Sequence, residues 1–155
     1  MVIKHADVKH VIDCVDILQN SEIGKVYFGD YEKTVELLSN ASVKQELYIA
    51  ANENEESLGF IYYKSKGMFG SYPYLHIIAV KEEYRGLGIG KQLIKYFEEN
   101  ASDYSVTKCF LTVDDFNLKA KKWYEAIGYQ CVGELTDFYK EEITSYIMMK
   151  TISNK

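Results

Sequence analysis

The chain has 155 residues, 47% of them hydrophobic and 26% charged, which excludes disorder as its main state and supplies a core that needs neither disulfides nor metal. Asp and Glu number 23 against 18 Lys and Arg, a net charge of −5, the wrong sign for a protein that binds by neutralising phosphates; no nucleic-acid partner is expected. No apolar run approaches the roughly 20 residues of a membrane span and no secretory apolar region follows Met1, so a cytoplasmic protein with no membrane partner is expected.

No repeat, low-complexity stretch or proline-rich linker divides the chain, and a single domain over 1–155 is expected. A strand at about 2–5 leads into a helix after Asp7, with Val8, Val11, Ile12, Val15 and Leu18 at helical spacing. A loop over 21–29 carries Tyr27 and Phe28, and a second helix over 31–40 turns Val35, Leu37 and Leu38 inward. The period then changes: 47–51, 57–65 and 72–81 read as three strands of an antiparallel meander. A helix over 88–101, with Leu93, Ile94, Phe97 and Ala101, leads to a strand at 108–114, and a strand-helix-strand unit implies a parallel pair. Asn117 caps a helix with inner positions Ala120, Trp123, Tyr124 and Ile127, stopped by Gly128, and strands at 129–135 and 143–152 close the chain. The class is α+β, a mostly antiparallel sheet of six or seven strands with about four helices on both faces. Cys14, Cys109 and Cys131, odd in number and among apolar neighbours, read as buried free thiols. The first 70 residues carry 11 acidic and 7 basic side chains, an excess that suits a cationic substrate or a solvated surface.

The sharpest feature is an apolar strand ending Ile78-Ala79-Val80, then Arg85-Gly86-Leu87-Gly88-Ile89-Gly90-Lys91, which opens a helix. Alternate glycines let backbone approach a ligand, and a helix N-terminus offers unpaired amides at the positive end of its dipole. Arg85 is the chain's only arginine, and a guanidinium grips phosphate bidentately where lysine acts as a point charge. A tight turn beside a surface arginine is the alternative. The glycines run GxGxG after a late strand, which does not fit the dinucleotide fingerprint; a P-loop needs one more residue and a Ser or Thr where Gln92 stands.

Arg85, Gly88 and Gly90, five residues beyond Val80, resemble the pyrophosphate loop of the GNAT-type N-acetyltransferases. The run Asn117-x-x-Ala120-x-x-Trp-Tyr124-Glu125-x-x-Gly128-Tyr129 is similar to a second motif of that family. The resemblance implies a GNAT-like fold with its parallel pair, the fourth and fifth strands, splayed around acetyl-CoA. Amides of about Leu87–Lys91 would hold the pyrophosphate; backbone of Ile78 and Val80 would pair with the pantetheine arm, with the Ile78 amide facing the thioester oxygen. Asn117 would contact the cofactor, and Lys119, Lys121 and Lys122 are candidates for the adenosine phosphate or simply a charged helix face. Tyr124 resembles the family's acid, placed at the departing thiolate; a core tyrosine beside Trp123 is the alternative.

A lysine-like amine with pKa about 10.4 must lose a proton to attack, at a cost of about 4.6 kcal/mol at pH 7. His76 shares strand parity with Ile78 and Val80 and titrates near working pH, so it is the candidate base, with Glu134 or a water relay behind it and a sheet-bound histidine as the structural alternative. Direct transfer in a ternary complex is expected, since no cysteine has a basic neighbour, and no metal ligands are assigned. A small primary amine is the favoured acceptor, with Tyr27, Phe28, Tyr31 and Tyr139 as a candidate pocket. The closing segment is similar to the hairpin of protein N-terminal acetyltransferases, where Tyr139 and Tyr146 would grip a peptide N-terminus. A non-catalytic acyl-CoA-binding module is the reading from another class. The pattern leaves the oligomeric state open, a homodimer included.

Overall fold

The computed structural model describes residues 1–101 and 105–152. Seven strands, β1 (Val2–His5), β2 (Leu47–Ala51), β3 (Ser57–Met68), β4 (Tyr72–Val80), β5 (Lys108–Asp114), β6 (Gln130–Thr136) and β7 (Thr144–Thr151), form a sheet in the order β1-β2-β3-β4-β5-β7-β6. The helices are α1 (Val11–Gln19), α2 (Glu22–Tyr27), α3 (Tyr31–Val43), α4 (Ile89–Asn100) and α5 (Leu118–Ala126). The expected class and the parallel β4–β5 pair are observed, the latter at Tyr74↔Phe110 and Leu75↔Leu111. The chain packs as two compact units, one of Met1–Tyr63 with Ile77–Phe97, the other of Lys64–His76 with the residues from Glu98 onward. Among the described residues no helix is long and apolar enough to cross a membrane.

In the first unit β1 pairs antiparallel with β2 and β2 with β3. Leu47, Ile49, Phe60, Tyr62, Ile77 and Ala79 pack against Val15, Leu18, Leu38 and Ala41 of α1 and α3. The opposite face meets α4: Tyr63 lies 5.3 Å from Phe97, and Tyr48 5.2 Å from Tyr96. Two expectations fail here. A 3-10 turn at Val8–His10 precedes α1 and leaves Val8 exposed, and within α1 Val11, Val15 and Leu18 are buried as expected together with Cys14 and Ile17, which leaves Ile12 outside that face. The segment expected as a loop over 21–29 contains α2, too short to show a helical period but capped by Ser21, whose Oγ accepts from the Gly24 amide at 3.0 Å.

In the second unit β5 pairs antiparallel with β7 and β7 with β6. Alternation along β5 sends Cys109, Leu111 and Val113 to one face and Phe110, Thr112 and Asp114 to the other. Asn117 caps α5, its side chain accepting from the Ala120 amide at 3.4 Å, and Gly128 ends the helix at φ +103°, both as expected. Only Tyr124 of the expected inner face is fully buried; Ala120, Trp123 and Ile127 are half-buried. Cys14 and Cys109 are buried, but Cys131 is exposed, because β6 is the edge strand of the sheet.

α2 docks so closely on the end of α1 that a Cβ on Gly24 would stand 1.7 Å from the Leu18 carbonyl oxygen. Alanine gains about 1 kcal/mol of helix propensity, but the clash demands a backbone shift. Gly24→Ala is therefore expected to destabilise by about 2 kcal/mol net, read as a lower urea midpoint with an unchanged slope.

Candidate active site

In the first unit, buried Ile77 and Ala79 join the core, which turns Ile78 and Val80 away from it. Beyond Val80 a 3-10 turn at Glu82–Tyr84 leads to the glycine loop. Gly86 and Gly88 have φ of +78° and +83°, a region open to glycine at little cost, and nothing lies within 4 Å of where a Cβ would stand on either. The loop's outer side is thus free to accept a ligand at the head of α4, where Ile89 is buried and Leu87 and Lys91 are exposed. The Arg85 guanidinium is already engaged: Nε donates to the Val80 carbonyl at 3.0 Å and Nη2 to the Asn20 carbonyl at 3.2 Å, at the C-terminus of α1. Arginine thus fastens the loop to a strand end and to the negative end of a helix dipole, which one lysine nitrogen does poorly.

In the second unit, Tyr124 and Tyr129 lie with ring centroids 5.7 Å apart, 7% and 2% exposed. Tyr129 is fully satisfied: its hydroxyl donates to Glu98 Oε1 at 3.1 Å and meets Cys109 Sγ at 3.5 Å, and Lys150 Nζ binds both Glu98 oxygens at 2.9 Å. The Tyr124 hydroxyl has no such partner among the described residues, and burial alone raises its pKa. It is a protonated donor without an acceptor. Burial also pushes the Cys109 thiol up to about 11 and the Cys14 thiol higher still, so both stay protonated.

His76 stands edge-on to the Tyr74 ring, centroids 4.6 Å apart. The Tyr74 hydroxyl meets Thr112 Oγ1 at 2.8 Å and the Tyr139 hydroxyl at 3.0 Å, and buried Asp114 Oδ1 accepts from Ser145 Oγ at 2.5 Å. His76 keeps an exposed edge, yet the protein around the rest of the ring, helped by the Lys64 charge, pushes its pKa down to about 4. Its expected titration near working pH is therefore corrected: the imidazole is neutral there.

Tyr139 sits with Tyr74 on the Thr112 face of β5. Tyr146 pairs with Val113 and lies under Lys121 Nζ, 5.1 Å from the ring centroid, on the opposite face; Glu134, paired with Tyr146, is exposed on the edge strand. Tyr139 and Tyr146 are not brought together. Lys121 is bound to Glu125 at 2.6 Å, whereas Lys119 and Lys122 are exposed. In the first unit, Phe28 packs against the core, Tyr27 touches it at 6.4 Å between ring centroids, and exposed Tyr31 begins α3. Sequence reasoning passed over Tyr74, Thr112 and Asp114, although the two-residue alternation of β4 and β5 is the signal that groups them.

The Acetyltransferase (GNAT) family profile matches residues 14–129. The chain belongs to the GNAT family. A GNAT relative, thialysine N-epsilon-acetyltransferase of Bos taurus, is 40% identical over 76 residues, 49% of this chain, and the match spans only 45% of that enzyme's length. The 5-NmdU N-acetyltransferase of Pseudomonas phage PaMx11 is 29% identical over 77% of this chain and 81% of its own. Among solved structures, an aminoglycoside 6'-N-acetyltransferase complexed with coenzyme A superposes with a TM-score of 0.73 at 20% identity, covering 100% of this chain and 99% of that one, which shows the shared fold.

Because Arg85 makes two backbone bonds, its loss should disturb the loop more than the core. Arg85→Ala is expected to lower Tm by only a few degrees while abolishing most of the stabilisation, about 2.7 kcal/mol at 100 times Kd, that coenzyme A confers on the parent protein. Thermal melts with and without the ligand check this.

Proposed function

We propose that the chain is an acetyl-CoA-dependent N-acetyltransferase that acts on a primary amine of a small molecule. The observation that carries the reading is the open glycine loop at the head of α4, with Gly86 and Gly88 at positive φ. The amides of Leu87, Gly88, Ile89, Gly90 and Lys91 would hold the pyrophosphate, Gly86 would give the turn its reach, and Ile78, Ala79 and Val80 would present backbone to the pantetheine arm. Asn117 and Ala120 would flank the cofactor at the start of α5. Acetyl-CoA supplies the activated acyl group. Thialysine and aminoglycosides, named in the two relatives, are amines in small molecules, which supports that acceptor class.

Tyr124 would donate its hydroxyl hydrogen bond to the leaving sulfur. A thiol with pKa about 8.5 is a stronger acid than a phenol at about 10, and burial raises Tyr124 further, so the hydroxyl stabilises the thiolate without surrendering its proton. His76 would orient the amine by accepting a hydrogen bond. At a pKa of about 4 it lies about six units below a lysine-like ammonium, too weak to keep the proton, which passes to solvent. Tyr124 reaches the Cys109 face of β5 through Tyr129, and His76 reaches the Thr112 face through Tyr74. Direct attack of the amine on the thioester needs no acyl-enzyme, which fits the Cys14 and Cys109 thiols, both held protonated by burial.

The test is a panel of primary amines, polyamines and N-terminal peptides assayed with acetyl-CoA. Small amines are expected to turn over fastest; binding of acetyl-CoA with no turnover of any amine would favour the non-catalytic module. Tyr124→Phe should lower kcat ten-fold to a few hundred-fold with KM for acetyl-CoA unchanged, and an unaltered kcat would remove Tyr124 from the mechanism. Since His76 is neutral above about pH 5, kcat/KM should rise toward the amine's own pKa with no inflection between pH 5.5 and 8, and His76→Gln should lower the rate without changing the profile's shape.

A further inference from the structure

The glycine loop is held from behind by a side-chain network that no motif contains. Asn52 closes the turn between β2 and β3, its Oδ1 accepting from the amides of Asn54 at 2.9 Å and Glu56 at 3.0 Å. That turn presents the Glu56 carboxylate to three donors: Lys81 Nζ at 2.7 Å, Asn52 Nδ2 at 3.0 Å and the Tyr84 hydroxyl at 3.3 Å. Lys81 also reaches Glu83 at 3.2 Å and lies 5.7 Å from the Tyr84 ring centroid. Lys81 and Tyr84 bracket the 3-10 turn that feeds the loop. The backbone bonds of that turn, Tyr84 to Lys81 at 2.9 Å and Arg85 to Glu82 at 3.2 Å, tie it to itself, and one from the Lys81 amide to the Leu58 carbonyl at 2.9 Å ties its first end to β3.

We propose that Glu56 is a positioning residue for the cofactor loop, holding through Lys81 and Tyr84 the segment from which the loop's amides are aimed. The inference rests on the acetyl-CoA reading above. A loop with two glycines at positive φ and nothing within 4 Å of them has little to restrain it from its own residues, so ordering must come from its ends. The helical end is fixed by buried Ile89. The other end has the Lys81 amide on β3, and its side-chain holds are Arg85 on the α1 side and Glu56 on the side of the β2–β3 turn. An exposed ion pair contributes little to global stability, but preorganising a loop acts on ligand affinity, where the ordering cost would otherwise fall.

The sign of the effect distinguishes this from simple charge. Glu56→Gln releases Lys81 and removes a negative charge near an anion site, so an electrostatic role would tighten coenzyme A binding, whereas positioning weakens it. Glu56→Ala is expected to raise Kd for coenzyme A, by calorimetry, and KM for acetyl-CoA five- to twenty-fold with kcat within two-fold. Glu56→Gln, which keeps acceptors for Tyr84 and Asn52, should fall between Glu56→Ala and the parent, and Tyr84→Phe should raise Kd two- to three-fold. Glu53→Gln, on the same turn outside the network, should change nothing. In the unliganded protein, amide exchange at residues 86–91 should accelerate in Glu56→Ala while the α3 amides keep their protection.

Unchanged or tightened binding in Glu56→Gln and Glu56→Ala, or a lower Tm with unchanged Kd and loop exchange, would overturn the proposal. A parent protein that fails to bind coenzyme A would bring down the cofactor reading, and the loop exchange would then still decide whether Glu56 orders the loop.

Discussion

The first amides of a helix have no carbonyl partners within it, and the protein must either hide that deficit or use it. At α4 a strand ends at Val80, a 3-10 turn and two glycines at positive φ follow, and the outer side of the turn is left open. The neighbouring features serve that opening. Gly59 on β3 is there because a Cβ would stand 2.8 Å from the Ala79 carbonyl oxygen, against the strand end that feeds the loop. Arg85 and Glu56 fasten the loop from two sides by contacts distant in sequence, and none of these groups needs to touch a phosphate to matter for binding one.

Tyr124 and Tyr129 show how structural and chemical use of one residue type can be told apart. Both are buried aromatic side chains five positions apart. Burying a hydroxyl without a partner costs free energy, so a fold selected only for stability would satisfy it, as Glu98 and Cys109 do for Tyr129. The Tyr124 hydroxyl lacks such a side-chain partner among the described residues, yet, unlike His10 Nε2 and Glu46 Oε2, it is not a fully enclosed unpaired atom. A donor held in this way is left available to a ligand, which is the role proposed for it at a leaving thiolate.

Motifs contiguous in the chain were legible: the glycine loop, the Asn117 cap and the Gly128 stop depend on local backbone and lie where the pattern put them. The rest turned on phase and partner. A 3-10 turn took Val8 out of the helical period, Ile12 fell outside the face set by Val11, Val15 and Leu18, and β6 at the sheet edge exposed Cys131 although its neighbours are apolar. Tyr139 and Tyr146 look alike in sequence, yet Tyr139, between β6 and β7, meets Tyr74, while the register of β7 sets Tyr146 against Val113 on the opposite face of β5, and that register is set by pairing across 30 or more residues. Glu56 was invisible for the same reason, since its meaning depends on Lys81 and Tyr84, 25 and 28 positions away.

His76 marks the boundary between geometry and chemistry. Strand parity grouped it with Ile78 and Val80, but parity says nothing of solvation, and solvation decides whether an imidazole takes a proton. Burial pushes the His76 pKa down to about 4, and the Lys64 charge acts in the same direction. A neutral imidazole avoids repelling an incoming ammonium, which a histidinium would do. In the proposed reading, a neutral His76 adds no second positive charge beside Lys64 at neutral pH, which favours capture of a cationic amine before its proton passes to solvent.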